Sequence, residues 1–172
     1  MIKVIFAAAF SLVFFTSIYT LQVPANGGGT IDFGAFTGKK VLVVNIATGS
    51  PLTPQLGALE QLYQKYKDSL VIIAFPSNSF NNETRDDAAI GSFCTSTYNI
   101  HFKLAAKAEV IGASAVSVFS WLQSEAQNGV TTNAVNSDFQ KFLIDKDGAF
   151  IGAFSSRVDP MSDELQNAII GQ

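Results

Sequence analysis

Lys40-Val-Leu-Val-Val-Asn-Ile-Ala47, then Thr53-Pro-Gln-Leu-Gly-Ala-Leu-Glu-Gln-Leu-Tyr-Gln-Lys-Tyr66, then Ser69-Leu-Val-Ile-Ile-Ala-Phe-Pro76 is the stretch that decides the fold. The first and third pieces are β-branched apolar runs of strand length, uncharged beyond their first residue, as expected of strands buried on both faces of a sheet. Between them, Leu56, Leu59, Leu62, Tyr63 and Tyr66 recur at helical spacing and leave Glu60, Gln64, Lys65 and Lys67 for water. Thr53 is the expected N-cap and Pro54 the expected first helical residue. Strand, helix and strand in this order predict a parallel pair joined by a right-handed crossover.

Working outward, Asp86 or Asp87 can cap a second helix whose inward face is Ile90, Phe93, Cys94 and Thr97. Ser114 to Gln127 is a third amphipathic stretch, with Val118, Trp121 and Leu122 on one side. Phe139–Asp145 and Ala149–Phe154 read as two strands joined at Lys146-Asp147-Gly148, a strong hairpin signal. Asp159-Pro160 is expected to cap a last helix running to Ile170, with Leu165 and Ile169 inward. The expected class is α/β, a central mixed sheet flanked by helices in a thioredoxin-like arrangement with an insertion.

The chain has 172 residues, 11 basic against 14 acidic, and a net charge of −3, so no excess of positive charge favours nucleic acid. One cysteine, Cys94, and one histidine, His101, exclude an intramolecular disulfide, a C-x-x-C redox motif and zinc sites of the Cys₄, Cys₂His₂ or His₃ kind. No cofactor is expected. Residues 4–21 are uncharged and mostly apolar after Lys3, which predicts a signal peptide or an N-terminal anchor over 1–25, with cleavage after Ala25. On that reading Gly27-Gly28-Gly29 is a tether, 26–37 a linker and leading strand, 38–172 the domain, and the protein is exported, periplasmic or extracellular, touching membrane only through an uncleaved segment.

Four motifs between about Gly38 and Ile170 resemble the glutathione peroxidase family of thiol and selenol peroxidases. Val43-Val-Asn-Ile-Ala-Thr-Gly-Ser-Pro-Leu-Thr-Pro-Gln55 is similar to V-N-V-A-S-x-C-G-x-T-P-Q, and Phe75-Pro-Ser-Asn-Ser-Phe80 to F-P-C-N-Q-F. Phe93-Cys94 with Tyr98-Asn-Ile-His-Phe102 resembles F-C-x-x-N-Y-x-V-x-F, and Phe139-Gln-Lys-Phe-Leu-Ile-Asp-Lys-Asp-Gly148 resembles F-x-K-F-L-I-D-x-x-G. The resemblance implies the thioredoxin-like fold of that family. It also implies thiol-dependent reduction of peroxides, with glutathione or thioredoxin as donor if the chain is active.

The family's chemistry rests on a peroxidatic cysteine or selenocysteine, a glutamine, and an adjacent tryptophan and asparagine. Here the peroxidatic position falls on Ser50, the tryptophan-asparagine pair on Ser137 and Asp138, and the glutamine on Glu83 or Asn82. Peroxide reduction needs a thiolate that becomes a sulfenic acid, and a serine hydroxyl can do neither step. The expectation is therefore a degenerate member of the family acting as a binding or scaffold module, with an altered peroxidase using Cys94 as the alternative. Ser50 is expected as a small polar filler rather than a new nucleophile, because His101 has no evident route to it. Cys94 is expected as a buried structural thiol and His101 as a loop or surface residue. Trp121 lies on the third helix and cannot replace the missing indole. Glu83, Asp138 and Asp86 are expected as solvated loop carboxylates, with convergence on a hard cation as the rival reading.

Overall fold

The structure, a computed structural model, describes residues 16–172. The chain enters through a 3-10 turn, Ile18–Thr20, with Ile18 wholly buried, and continues as β1 (Gln22–Pro24), which pairs antiparallel with β2 (Thr30–Asp32). A second 3-10 turn, Phe33–Phe36, buries both of its phenylalanines. The boundary expected after Ala25 is therefore not where the domain begins. Gly27, Gly28 and Gly29 all have positive φ (85°, 103° and 80°) and form the bend between β1 and β2, not a tether. Ile18, Val23, Ile31 and Phe33 share a core with Phe75 and Phe119, and a cut after Ala25 would strip the first two from it. The first fifteen residues, on which most of the expected export segment falls, lie outside the described ones.

β3 (Lys40–Ile46) and β4 (Leu70–Pro76) pair in parallel, from Lys40 opposite Leu70 to Ile46 opposite Pro76, with α1 (Gln55–Tyr66) as the crossover. Residues 41–46 are inaccessible to solvent, and the strand's alternation feeds two cores. Val41 and Val43 join Ile73, Phe75 and Phe142 on one face; Leu42, Val44 and Ile46 join Ile72, Leu143 and the apolar face of α1 on the other. The sheet is completed by β5 (Lys103–Leu104), β6 (Lys141–Ile144) and β7 (Phe150–Phe154), in the order β5-β4-β3-β6-β7. β5 runs parallel to β4, whereas β6 and β7 are antiparallel to their neighbours, so the mixed α/β sheet expected from the sequence is present.

The helices differ from expectation mainly at their ends. Thr53 does not cap α1: its hydroxyl donates to the carbonyls of Ala47 and Ser50, and Pro54 occupies the cap position without a side-chain bond. α2 (Asp87–Tyr98) is capped by Asp86, which accepts from the Ala89 amide, and it buries Ile90 and Cys94 while Thr97 stays exposed. The third stretch breaks into α3 (Ser117–Leu122) and α4 (Glu125–Asn128). α5 (Asp163–Ile170) starts at Ser162, whose hydroxyl accepts from Leu165; Asp159 instead accepts from the Met161 amide, one turn earlier. Among the described residues no helix is long and apolar enough to cross a membrane.

Candidate functional site

β3 ends at Ile46, and the next eight residues bend the chain back into α1 at the C-terminal end of the parallel strands. Open α/β sheets gather ligands at this end. The bend is closed by the Ser50 amide donating to Ala47 O (3.2 Å), the Thr53 amide to Ser50 O (3.1 Å) and the Thr53 hydroxyl to both carbonyls. Ser50 sits at its tip, 7 % exposed, with Oγ accepting from the Leu52 amide at 3.3 Å. Gly49 is required by close approach: its amide donates to Asn82 O at 3.0 Å, and a Cβ there would lie 2.6 Å from the same oxygen.

The loop after β4 is tied to this bend by a buried carboxylate. Glu83 is wholly inaccessible and accepts from the Thr48 amide (2.6 Å), the Thr48 hydroxyl (2.9 Å) and the Arg85 amide (3.1 Å). Arg85 closes the unit, its guanidinium donating to the Thr48 hydroxyl and lying over the Phe93 ring at 4.6 Å. Glu83 thus staples two loops and turns away from the depression that Ser50 faces, and it is Asn82 that reaches there.

The third contributor is the segment before β6, held by Asn45, a fully buried polar residue within β3. Its Nδ2 donates to Ser137 O (2.9 Å), its Oδ1 accepts from the Gln140 amide (3.1 Å), and its backbone carbonyl accepts from the Phe139 amide (2.6 Å). These bonds hold Phe139 at a φ of +61°, a left-handed conformation that is strained for a bulky side chain. The kink presents Ser137 and Asp138 to the bend. Asp138 is 3 % exposed; Oδ2 accepts from Asn82 Nδ2 at 2.6 Å, and buried Oδ1 has no hydrogen-bond partner among the described residues. Ser50, Leu52, Phe80, Asn82, Ser137 and Asp138 line one open depression of about 300 Å³.

Four of the expected site positions, Ser50, Asn82, Ser137 and Asp138, are therefore brought together, and Glu83 is not among them. Glu83 and Asp138 are buried rather than solvated. They do not converge with Asp86, which is occupied as the cap of α2. Cys94 is fully buried on α2, and burial, with the Glu83 carboxylate adding to it against Arg85, pushes its thiol up to about 11. His101 is half-exposed, its Nδ1 2.8 Å from Glu60 Oε1 on α1. Trp121 donates to the Thr16 carbonyl at 2.6 Å, in the core that holds the N-terminal hairpin.

Asn45 and Lys141 are structural determinants of the site that sequence reasoning passed over. Lys141 is buried in β6 and donates to Gln55 Oε1 (2.5 Å) at the start of α1 and to Val158 O (2.6 Å); burial pulls its amine down to about 8. The available signal was a polar residue within the apolar run of β3 and a lysine opening the apolar run of β6.

Comparison with known proteins agrees with this frame. The sequence profile described as Glutathione peroxidase matches residues 18–123. The chain is 39 % identical over 146 residues to the glutathione peroxidase-like peroxiredoxin GPX5 of Chlamydomonas reinhardtii, covering 84 % of this chain and 90 % of that one. It is 36 % identical over 158 residues to glutathione peroxidase-like peroxiredoxin 2 of Saccharomyces cerevisiae, covering 90 % and 98 %. The crystal structure of Trgpx in its apo form superposes with a TM-score of 0.69 at 31 % identity, covering 91 % of this chain and 95 % of the other.

Proposed function

Since this chain belongs to the glutathione peroxidase family, whose activity is thiol-dependent reduction of peroxides, we propose that it keeps the family's frame without that reaction and serves as a binding module. One observation carries the reading: the strand-to-helix bend ends in a serine, while the chain's one cysteine is sealed inside α2. Peroxide reduction begins when a thiolate attacks one peroxide oxygen, breaking the O–O bond, leaving a sulfenic acid and releasing the other oxygen as alcohol or water. A serine alkoxide is not populated at neutral pH, and oxygen offers no stable counterpart of the sulfenic acid.

The surroundings argue the same way. Thiolate chemistry needs donors aimed at a developing anion. Here the bend faces Asp138, whose carboxylate repels negative charge. A buried carboxylate oxygen without a partner is instead an acceptor suited to an N–H or O–H donor, and Leu52 and Phe80 supply apolar wall beside it. The ligand class that fits is a hydrogen-bond donor carried on an apolar body.

The alternative, a peroxidase using Cys94, requires a thiol whose ionised fraction at pH 7 is about one in ten thousand to react from a site closed to solvent. Export remains part of the proposal, with the leader confined to residues before Thr16, because the backbone of Thr16 is already bound by Trp121 and Gln127.

A coupled peroxidase assay with glutathione and with thioredoxin tests the reading. The natural chain is expected to be silent, and Ser50→Cys to gain measurable turnover. Turnover by the natural chain that Cys94→Ser abolishes would overturn it.

A further inference from the structure

A second cavity lies at the opposite end of the sheet from Ser50. It opens beside the first residues of β4, between the loop that precedes β3, the last turn of α1 and the segment leading into β5. Seven residues of β3 at about 3.3 Å each put roughly 20 Å between the two ends. The cavity measures about 250 Å³, and its walls include Phe36, Tyr63 and Phe102, while Lys39, Lys67 and Lys103 line it together with His101.

Its charge is one-sided. The chain is net negative with only 11 basic residues, yet three lysines line this one small space and no aspartate or glutamate does. None of the three ammonium groups forms an ion pair with a carboxylate of the described residues. Lys39 and Lys67 have only long contacts to neutral oxygens, Lys67 O at 3.5 Å and Gln64 Oε1 at 3.3 Å, and Lys103 lies 5.5 Å from the Phe36 ring centre. Glu60, the one nearby acid with a defined role, is occupied by the His101 imidazole and backbone amide. Like charges held together without a counter-charge raise the local potential and are relieved by an anion. The aromatic side chains in the wall add contact area for a flat apolar group.

We propose that this cavity binds a small organic anion: one phosphate or carboxylate, held by Lys39, Lys67 and Lys103, on a planar ring that packs against Phe36, Tyr63 and Phe102. The volume admits one ring and one anionic group, at the small end of ligand pockets. The site shares no residue with the Ser50 depression, so it stands whether or not the reading of that depression does.

The test titrates phenyl phosphate, inorganic phosphate and benzyl alcohol into the ¹⁵N-labelled chain. Phenyl phosphate is expected to shift the amides of Phe36, Lys67, Phe102 and Lys103 and to bind at least tenfold tighter than either half alone. Lys67→Glu with Lys103→Glu, two exposed positions, should weaken it at least thirtyfold while the melting temperature is retained. If that pair does not fold, Lys103→Gln alone should still lose severalfold. Equal affinity for inorganic phosphate would reduce the site to unspecific charge attraction and overturn the proposal. So would shifts confined to Ser50, Asn82 and Asp138, or no shifts at all.

Discussion

Ser50 has the position and Cys94 has the element. The serine stands at the tip of the bend where β3 gives way to α1, facing an open depression; the cysteine lies one helix away, wholly enclosed by Ile90 and the apolar side chains beneath α2. Both side chains are small and bear a group-16 atom, and on the function proposed above neither location alone confers reactivity. Ionisation of a thiol needs water or positive charge around it, and α2 offers Cys94 neither in sufficient measure. The bend offers the opening and has no sulfur. On that reading reactivity in this frame needs place and atom together, and here the two stand 44 residues apart.

The largest way to sharpen that comparison is to reunite them. Ser50→Cys combined with Asp138→Asn restores sulfur and removes the facing carboxylate, and peroxide consumption at pH 7 should rise at least about 100-fold over the natural chain, with the double variant faster than Ser50→Cys alone. Equal rates for the single and double variants would show that Asp138 does not oppose the anion.

Next in size is the scaffold of the bend. Asn45→Ala removes two buried side-chain bonds and leaves Ser137 O and the Gln140 amide without them. Unfolding free energy should fall by about 2–4 kcal/mol in urea titration. Glu83→Gln keeps the shape but removes the charge that Thr48 and Arg85 surround, and about 1–3 kcal/mol should be lost, since the amide offers one acceptor where the carboxylate had two. Were Glu83→Gln neutral, the carboxylate would not be the staple described.

The smallest effect is in pH. Lys141 binds its proton less readily folded, at about 8 against 10.5, so its contribution to stability is present above 10.5 and is lost as pH falls through 8. Cys94 holds its proton longer when folded, to about 11 against 9.0, so its contribution is present below 9.0 and is lost as pH rises through 11. The melting temperature should climb from pH 8 to 9 and then level as the two oppose each other. Cys94→Ala should extend the climb, and Lys141→Met should abolish it.

Much of the fold was legible because its signals are local. β3, β4 and the β6-β7 hairpin announce themselves as unbroken apolar runs and an Asp-Gly turn, and Asp86 caps the helix it precedes. Where a residue's partner lies far along the chain, local reading failed. Gly27-Gly28-Gly29 has the composition of a tether and becomes a hairpin bend only because Val23 and Ile31 are both claimed by a core built from distant residues. Thr53 and Asp159 carry the right side chains for caps but are drawn to other partners. The four gathered site positions follow from the resemblance to the family's motifs. That Asn82 rather than Glu83 enters the depression depends on Thr48 drawing the glutamate inward across 35 residues, for which no spacing rule exists. The left-handed Phe139 gives no compositional hint at all, and the lysines at 39, 67 and 103 stand on separate segments that the β3-β4 and β4-β5 pairings and the end of α1 bring to one cavity.

The N-terminal hairpin has a consequence in time. Thr16 is held by the indole of Trp121, 105 residues on, and the Tyr19 hydroxyl donates to the carbonyl of Lys146, 127 residues on. During synthesis the first part of the domain to leave the ribosome is thus among the last to find its partners, because closing so long a loop must await the chain that completes it. Until then Ile18 and Tyr19 lack the distant partners that hold them in the folded domain.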